Sequence, residues 1–243
     1  MNFYAVIIGT EILNGRREDK HFKFIQTQLA KYGHELFASF IVKDDVELMK
    51  DIYNLIKKDK KAVLFSFGGI GSTPDDLTRE ISSKIFTNKK VQRHKEFEKD
   101  IIEKFGEKAY PHRVYMADIP PNSSLLFNPI NNMSGYSLDD RYFFVPGFPE
   151  MSHPMISDVI KKFFSISKDK YRFTLLAQTS EETLITLMKE LPTSIELSSL
   201  PMFKDNKPLV ELSLSGFDKS NTLHHFNLFC DELNSLKVSY KLI

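Results

Sequence analysis

Apolar residues along the chain fall into two kinds of run, and their alternation predicts the architecture. Residues 3–8, 35–42 and 62–67 are short, β-prone and nearly continuous, the pattern of strands buried on both faces of a parallel sheet. Between them the period changes. Phe22, Phe24, Ile25, Leu29 and Tyr32 recur near helical spacing over residues 19–32 until Gly33 stops the helix. Leu48, Ile52, Leu55 and Ile56 repeat the pattern after Asp44 and Asp45, which have the chemistry of N-caps. Three strand and helix units in succession imply right-handed crossovers and a mostly parallel sheet covered on both faces. A further helix is expected from Pro74 to about Phe86 with Thr73 as its N-cap, and a charged one over 92–105 with Phe97, Ile101 and Ile102 on one side. Residues 125–127 and 142–145 read as strands separated by a turn-rich stretch, 128–141, and residues 150–164 as the next helix.

The pattern then resets. Residues 165–170 are short and polar and mark a boundary between a domain at 1–167 and another at 168–243. Strands near 171–177, 194–198, 208–215 and 237–242, with helices near 180–191 and 219–233, give the order β-α-β-β-α-β. This is the split βαβ arrangement of ferredoxin-like folds, with Asp205-Asn206-Lys207 as the hairpin turn.

Candidate chemistry lies where strands give way to helices, because open α/β sheets bind ligands at the carboxyl ends of their strands. The stretch Phe67-Gly-Gly-Ile-Gly-Ser-Thr-Pro-Asp-Asp-Leu-Thr-Arg-Glu80 joins a buried strand to a glycine turn and an acidic helix start. Gly68, Gly69 and Gly71 permit a sharp turn and let backbone N–H groups approach a phosphate, with the hydroxyls of Ser72, Thr73 and Thr78 nearby. Asp75 and Asp76 beside a phosphate call for a divalent cation between them, or for a proton-transfer or hydroxyl-binding role. The alternative is that both acids complement the helix dipole, and Glu80 lies one turn further along. Glu11 and Asn14 occupy the turn after the first strand, and Asp44 the turn after the second. Arg113 suits bidentate phosphate binding or a structural salt bridge, while Gly147 opens a second strand-to-helix turn, Pro146-Gly-Phe-Pro-Glu150.

Composition narrows the partners. Thirty-three basic against thirty-two acidic residues give a formal net charge of +1, so no global field draws the chain to nucleic acid or to a membrane surface. The segment after residue 165 has no Gly-x-x-Gly loop of the kind that clamps a nucleic-acid backbone, Gly216 being its only glycine, and it reads as an interaction or dimerisation element. His224 and His225, adjacent on a helix, diverge in direction and read as a surface pair. A single cysteine, Cys230, excludes an internal disulfide, and the first thirteen residues lack the basic lead of a signal peptide, so the cytoplasm is the expected compartment.

Four segments together resemble the molybdopterin-binding-like domain of molybdenum-cofactor biosynthesis proteins, and more closely the N-terminal region of the CinA (competence/damage-inducible protein A) family. They are Ile8-Gly-Thr-Glu-Ile-Leu-Asn-Gly15, the glycine stretch from Phe67 to Glu80, Tyr110-Pro-His-Arg113 and Val145-Pro-Gly-Phe-Pro-Glu-Met151. Ser72 stands where that family usually has proline, and His21 where an Asp-x-Asn pattern is common after Asp19. The resemblance implies a three-layer α/β domain followed by a small α+β module, ferredoxin-like or KH-like. It also implies a nucleotide or pterin ligand, assembly as a dimer or trimer, and metal-dependent hydrolysis of an ADP-ribose-like diphosphate to AMP and a ribose phosphate. Asp76 and Glu80 would then hold Mg²⁺ or a similar ion, with Asp75, Asp44 and Glu11 as further catalytic candidates. A non-catalytic pterin- or nucleotide-binding module is the alternative. The family's longer members carry an amidohydrolase domain acting on nicotinamide mononucleotide, and that activity is not expected of these residues.

Overall fold

The first apolar run becomes strand β1 (Asn2–Ile8), which has no polar face to give to water, so both of its faces must be covered. Tyr4, Val6 and Ile8 pack with Met49, Ile52, Tyr53 and Ile56 of helix α3 (Val46–Lys58). Phe3, Ala5 and Ile7 pack on the other side with Ile25 and Leu29 of α2 (His21–Ala30) and with Met155, Ile156, Val159 and Ile160 of α6 (Pro149–Phe163). Helices on two faces of one sheet make the three layers. The computed structural model describes residues 1–165, 169–204 and 207–243, and the chain divides into two units, Met1–Ser167 and Lys168–Ile243.

In the first unit the described residues build a six-stranded sheet of order β2-β1-β3-β8-β7-β6. Strands β2 (Leu36–Val42), β1, β3 (Ala62–Phe67) and β8 (Tyr142–Val145) are parallel. Strands β7 (Gly135–Leu138) and β6 (Ser124–Leu126) add to one side antiparallel. The chain passes from β1 to β2 on one side and then returns over β1 to β3 on the other. That reversal opens a crevice beyond the carboxyl ends of β1 and β3, the switch point at which such sheets bind ligands.

Four expectations change. The helix after the glycine stretch starts at Thr78, not Pro74: α4 (Thr78–Ser82) runs for five residues and passes into a π-helical turn at Ser83–Thr87. Thr73 is therefore no N-cap; its N–H and hydroxyl both donate to Asp76 Oδ2, at 2.8 and 2.6 Å, closing a turn instead. The charged helix α5 is shorter at its start (Lys95–Phe105), because Gln92–Arg93 forms β4 and pairs with β5 (Asp118–Ile119). Phe97 and Ile101 bury with Ala109, Val114, Ala117 and Met133 in a satellite core, and Arg93 of β4 ties β5 to α5 through Asp118 and Glu98, at 2.6 and 2.5 Å. The turn-rich stretch also hides β7, whose Tyr136 stacks on Phe144 at 4.8 Å.

The second unit forms a four-stranded antiparallel sheet from β9 (Tyr171–Ala177), β10 (Glu196–Lys204), β11 (Lys207–Gly216) and β12 (Tyr240–Leu242), in the order β10-β11-β9-β12. The third strand of the unit inserted between its first and second is the split βαβ order. The first helix of the unit is a 3-10 turn (Glu181–Leu184) leading into α7 (Ile185–Lys189), and the second is α8 (Lys219–Ser235). Phe226, Phe229 and Leu233 of α8 close over Leu175, Val210, Leu212 and Leu214. Of the expected hairpin turn, Asp205 and Asn206 lie outside the described residues, as do 166–168 of the boundary segment. No helix among the described residues is long and apolar enough to cross a membrane.

Candidate functional site

A cavity of about 550 Å³ opens at the switch point, lined by the ends of β1, β2, β3 and β8 and by the satellite core. Its floor is the glycine loop after β3. Gly68 (φ +101°) leaves no room for a Cβ, which would lie 2.6 Å from Ile8 O, and Gly69 (φ +69°) would place one 2.3 Å from Thr78 Oγ1. The glycines are thus required first by the protein's own packing. Thr78, fully buried, donates from Oγ1 to Gly68 O at 2.9 Å, and Gly68 N–H donates to Val145 O at 2.9 Å. Gly69, Gly71 and Ser72 line the cavity, and their N–H groups have no protein acceptor among the described residues. Unspent donors of this kind suit an anion.

Acidic side chains face this floor. Asp44 ends β2 and accepts from the N–H and hydroxyl of Thr10 through Oδ2, at 3.0 and 2.9 Å, which fixes the short helix α1 (Thr10–Leu13). Its neighbour Asp45 points the other way and caps α3, accepting from Leu48 N–H at 2.9 Å. Glu11 reaches the cavity and pairs with Arg17 at 3.6 Å, and Arg17 in turn lies 5.1 Å over the Phe148 ring. Asp75 and Asp76 line the same space, and hydrogen bonding within the loop holds the Asp75 carboxyl below the usual carboxylate range. Asp76 uses Oδ2 on its own loop and Asp44 uses Oδ2 on the loop after β1, which leaves Oδ1 of each without a hydrogen bond among the described residues.

The opposite wall is apolar and basic. Phe97, Phe105, Met116, Met133, Phe148 and Met151 line it, with Arg113 lying 4.8 Å over Phe105 and donating to Lys108 O at 2.6 Å. Gly147 packs against the floor, where a Cβ would stand 3.3 Å from Gly68 Cα. The 15-residue helix α6 starts beside it with Pro149 in its first turn and no side-chain cap. Its positive end, rather than the short α4, faces the cavity.

A pair of imidazoles braces Gly147 from behind. His21, 3% exposed, stacks on Phe67 at 4.5 Å, and its Nε2 lies 3.2 Å from Gly147 O. Its Nδ1 lies 3.3 Å from Nε2 of His153, whose ring stacks on Phe24 at 3.7 Å. A carbonyl only accepts, so His21 Nε2 carries the hydrogen, His21 Nδ1 accepts and His153 Nε2 donates. Burial lowers the pKa of both rings, that of His153 to about 4, which keeps this neutral arrangement in place near pH 7.

The cavity therefore brings together Glu11, Asp44, Gly68, Gly69, Gly71, Ser72, Thr73, Asp75, Asp76, Arg113 and Gly147. Three expected site residues lie elsewhere. Thr78 is buried beneath the loop, Asn14 ends α1 and accepts from Arg16 at 3.2 and 3.3 Å, and Glu80 lines a separate groove with Lys84, Lys89 and Lys90. Glu80 is thus no partner for Asp76, and no three His, Cys, Asp or Glu side chains among the described residues converge on a metal position. Mg²⁺ commonly takes only one or two carboxylates plus substrate phosphates, which Oδ1 of Asp76 and of Asp44 can supply. Arg17 and His153 had no signal in the sequence beyond their residue type; the aromatic wall and Met151 come together only through the fold.

Residues 4–165 match the family model described as "Probable molybdopterin binding domain". The chain belongs to the molybdopterin-binding domain family. It is similar to a CinA-like protein of Fusobacterium nucleatum, 26% identical over 88% of this chain and 54% of that protein. A CinA-like protein of Nostoc punctiforme is 29% identical over 67% of this chain and 40% of its own length. Among solved structures, the protein CinA of unknown function from Thermoplasma acidophilum superimposes with a TM-score of 0.60, at 25% identity, over 67% of this chain and 98% of that one. The chain spans about half the length, or less, of these curated relatives, and the matches agree with the CinA-like resemblance of its motifs.

Proposed function

We propose that the first unit binds a nucleotide diphosphate of the ADP-ribose class and hydrolyses it to AMP and a ribose phosphate. The observation that supports this reading is one cavity that sets unspent backbone donors opposite carboxylates. Phosphate oxygens take the N–H groups of Gly69, Gly71 and Ser72 and face the start of α6, while Arg113 and Arg17 balance their charge. Phe105, Phe148 and Met151 offer apolar surface to a base or sugar. Asp76 and Asp44 would hold a divalent ion such as Mg²⁺ through Oδ1. When bound, that ion supplies charge neutralisation on the diphosphate. Glu11 orients a water whose oxygen attacks one phosphorus; the bridging P–O bond breaks, the other phosphate leaves, and the water's proton passes to a carboxylate or solvent. Backbone donors aimed at the phosphate stabilise the charge that develops there.

The test is incubation of purified protein with ADP-ribose and Mg²⁺, repeated with Asp76→Asn, which keeps an acceptor for Thr73 and removes only the charge. The reading expects metal-dependent AMP release that falls at least about 100-fold in the variant, an effect of the size seen when one electrostatic group is lost from a site. AMP release unchanged in Asp76→Asn, or absent from the wild type, overturns it. A second reading, a non-catalytic pterin- or nucleotide-binding module, is favoured by one observation: Asp44 and Asp76 each spend an oxygen on loop structure. Thermal stabilisation by pterin or nucleotide without turnover selects that reading.

A further inference from the structure

We infer that Asn131 reads the base of the ligand: its side-chain amide donates a hydrogen to an acceptor on the edge of a heterocycle laid on the apolar wall. The inference rests on the nucleotide-binding part of the reading above and is independent of hydrolysis. Asn131 lines the cavity together with Phe105, Met133, Phe148 and Met151, and so brings a polar group into the surface offered to the base.

Two asparagines build the turn between β6 and β7, and they spend their amides differently. Asn128, fully buried, uses both ends: Oδ1 accepts from Ile130 N–H at 3.1 Å, while Nδ2 donates to Met133 O at 3.1 Å and to Asn131 Oδ1 at 2.8 Å. Asn131 Oδ1 also accepts from Met133 N–H at 2.9 Å, so both of its lone pairs are taken. A backbone N–H only donates, so the atom facing Met133 is the oxygen and the amide nitrogen is turned the other way. One of its hydrogens meets the Met151 sulfur at 3.4 Å, a weak acceptor, and the other has no acceptor among the described residues. Lys104 donates to Asn131 O and fastens the main chain of the turn to α5. The turn itself does not need the nitrogen. An aspartate at 131 would accept the same two hydrogens, and more strongly. An amide held where a carboxylate would serve the fold, with its hydrogens beside an apolar wall, therefore suits an acceptor on the ligand. The unprotonated ring nitrogens of adenine supply one.

Isothermal titration of the full chain with AMP and with ribose 5-phosphate, which lacks the base, tests this without turnover, both in Mg²⁺. The wild type is expected to bind AMP more tightly. Asn131→Asp keeps both hydrogens that the turn donates and exchanges the amide donor for an oxygen; Asn131→Ser keeps an acceptor for Met133 N–H and adds no charge. In both variants the preference for AMP over ribose 5-phosphate should fall at least about tenfold, because a buried hydrogen bond to the base is lost. Comparing the two ligands cancels the repulsion that a new carboxylate exerts on either phosphate. A preference for AMP that survives both substitutions overturns the inference and leaves the nucleotide reading standing. So does an affinity for ribose 5-phosphate that falls in Asn131→Ser as far as that for AMP, which would assign Asn131 to the fold alone. A wild type that binds neither ligand overturns both.

Discussion

The loop after β3 and the loop after β8 meet where Gly68 packs against Gly147, yet they are held by opposite means. The first is tied to itself. Thr73 to Asp76 and Thr78 to Gly68 are bonds between residues within ten positions of each other, and the loop can reach its shape as soon as β3 and α4 form. The second is held from a distance, by His21 across 126 positions of chain, and it takes shape only when α2 and α6 have packed. The cavity thus combines a floor specified locally with a wall specified by tertiary structure. Errors in the floor should disturb folding, while errors in the wall should disturb the site and its response to pH.

The largest effect is expected at the floor. Gly68→Ala combines a left-handed backbone with a Cβ pressed onto Ile8 O, and should lower stability by about 2–5 kcal/mol in urea denaturation. Thr78→Val keeps the shape but strands a buried carbonyl, and should cost about 1–3 kcal/mol by the same measurement. The wall should show itself in pH. Both imidazoles have folded pKa values below the unfolded value of 6.5, so the unfolded chain binds protons that the folded chain refuses. Stability is expected to hold above pH 6.5 and to fall as pH drops from 6.5 toward about 4, with His153→Gln flattening that fall. An equal slope in the variant would remove the imidazole pair from the comparison. The smallest effect belongs to Gly147→Ala, whose new Cβ meets Gly68 Cα at 3.3 Å: less than about 1 kcal/mol of stability, with any loss appearing in ligand-induced thermal stabilisation.

The same division explains what the sequence revealed. Strands β3 and β8 begin and end where their apolar runs do, because a buried strand has no polar face to blur the pattern. Strand β7 was hidden because Gly135 and Ser137 break its apolar character, and it is recognisable only by pairing with β8. Thr73-Pro74-Asp75-Asp76 has the composition of a helix start, but the Thr73 bonds to Asp76 stabilise a turn that postpones the helix to Thr78. Asp44 and Asp45 are equivalent in sequence; the strand's end and the helix's start send one to the cavity and the other to a cap. Glu80 shared a motif with Asp76 but faces a different groove, since four positions of non-helical and helical backbone separate them. The clustering of carboxylates followed from strand ends alone, whereas the imidazole brace and the aromatic wall required the whole topology.

Gly147 has no side chain, yet its carbonyl decides where two hydrogens sit on His21 and His153. The consequence is a built-in gauge. Ring nitrogen resonances of His153, which is not part of the cavity lining, register any displacement of the Gly147 peptide, so that occupancy of the site can be followed from an imidazole that no ligand needs to touch.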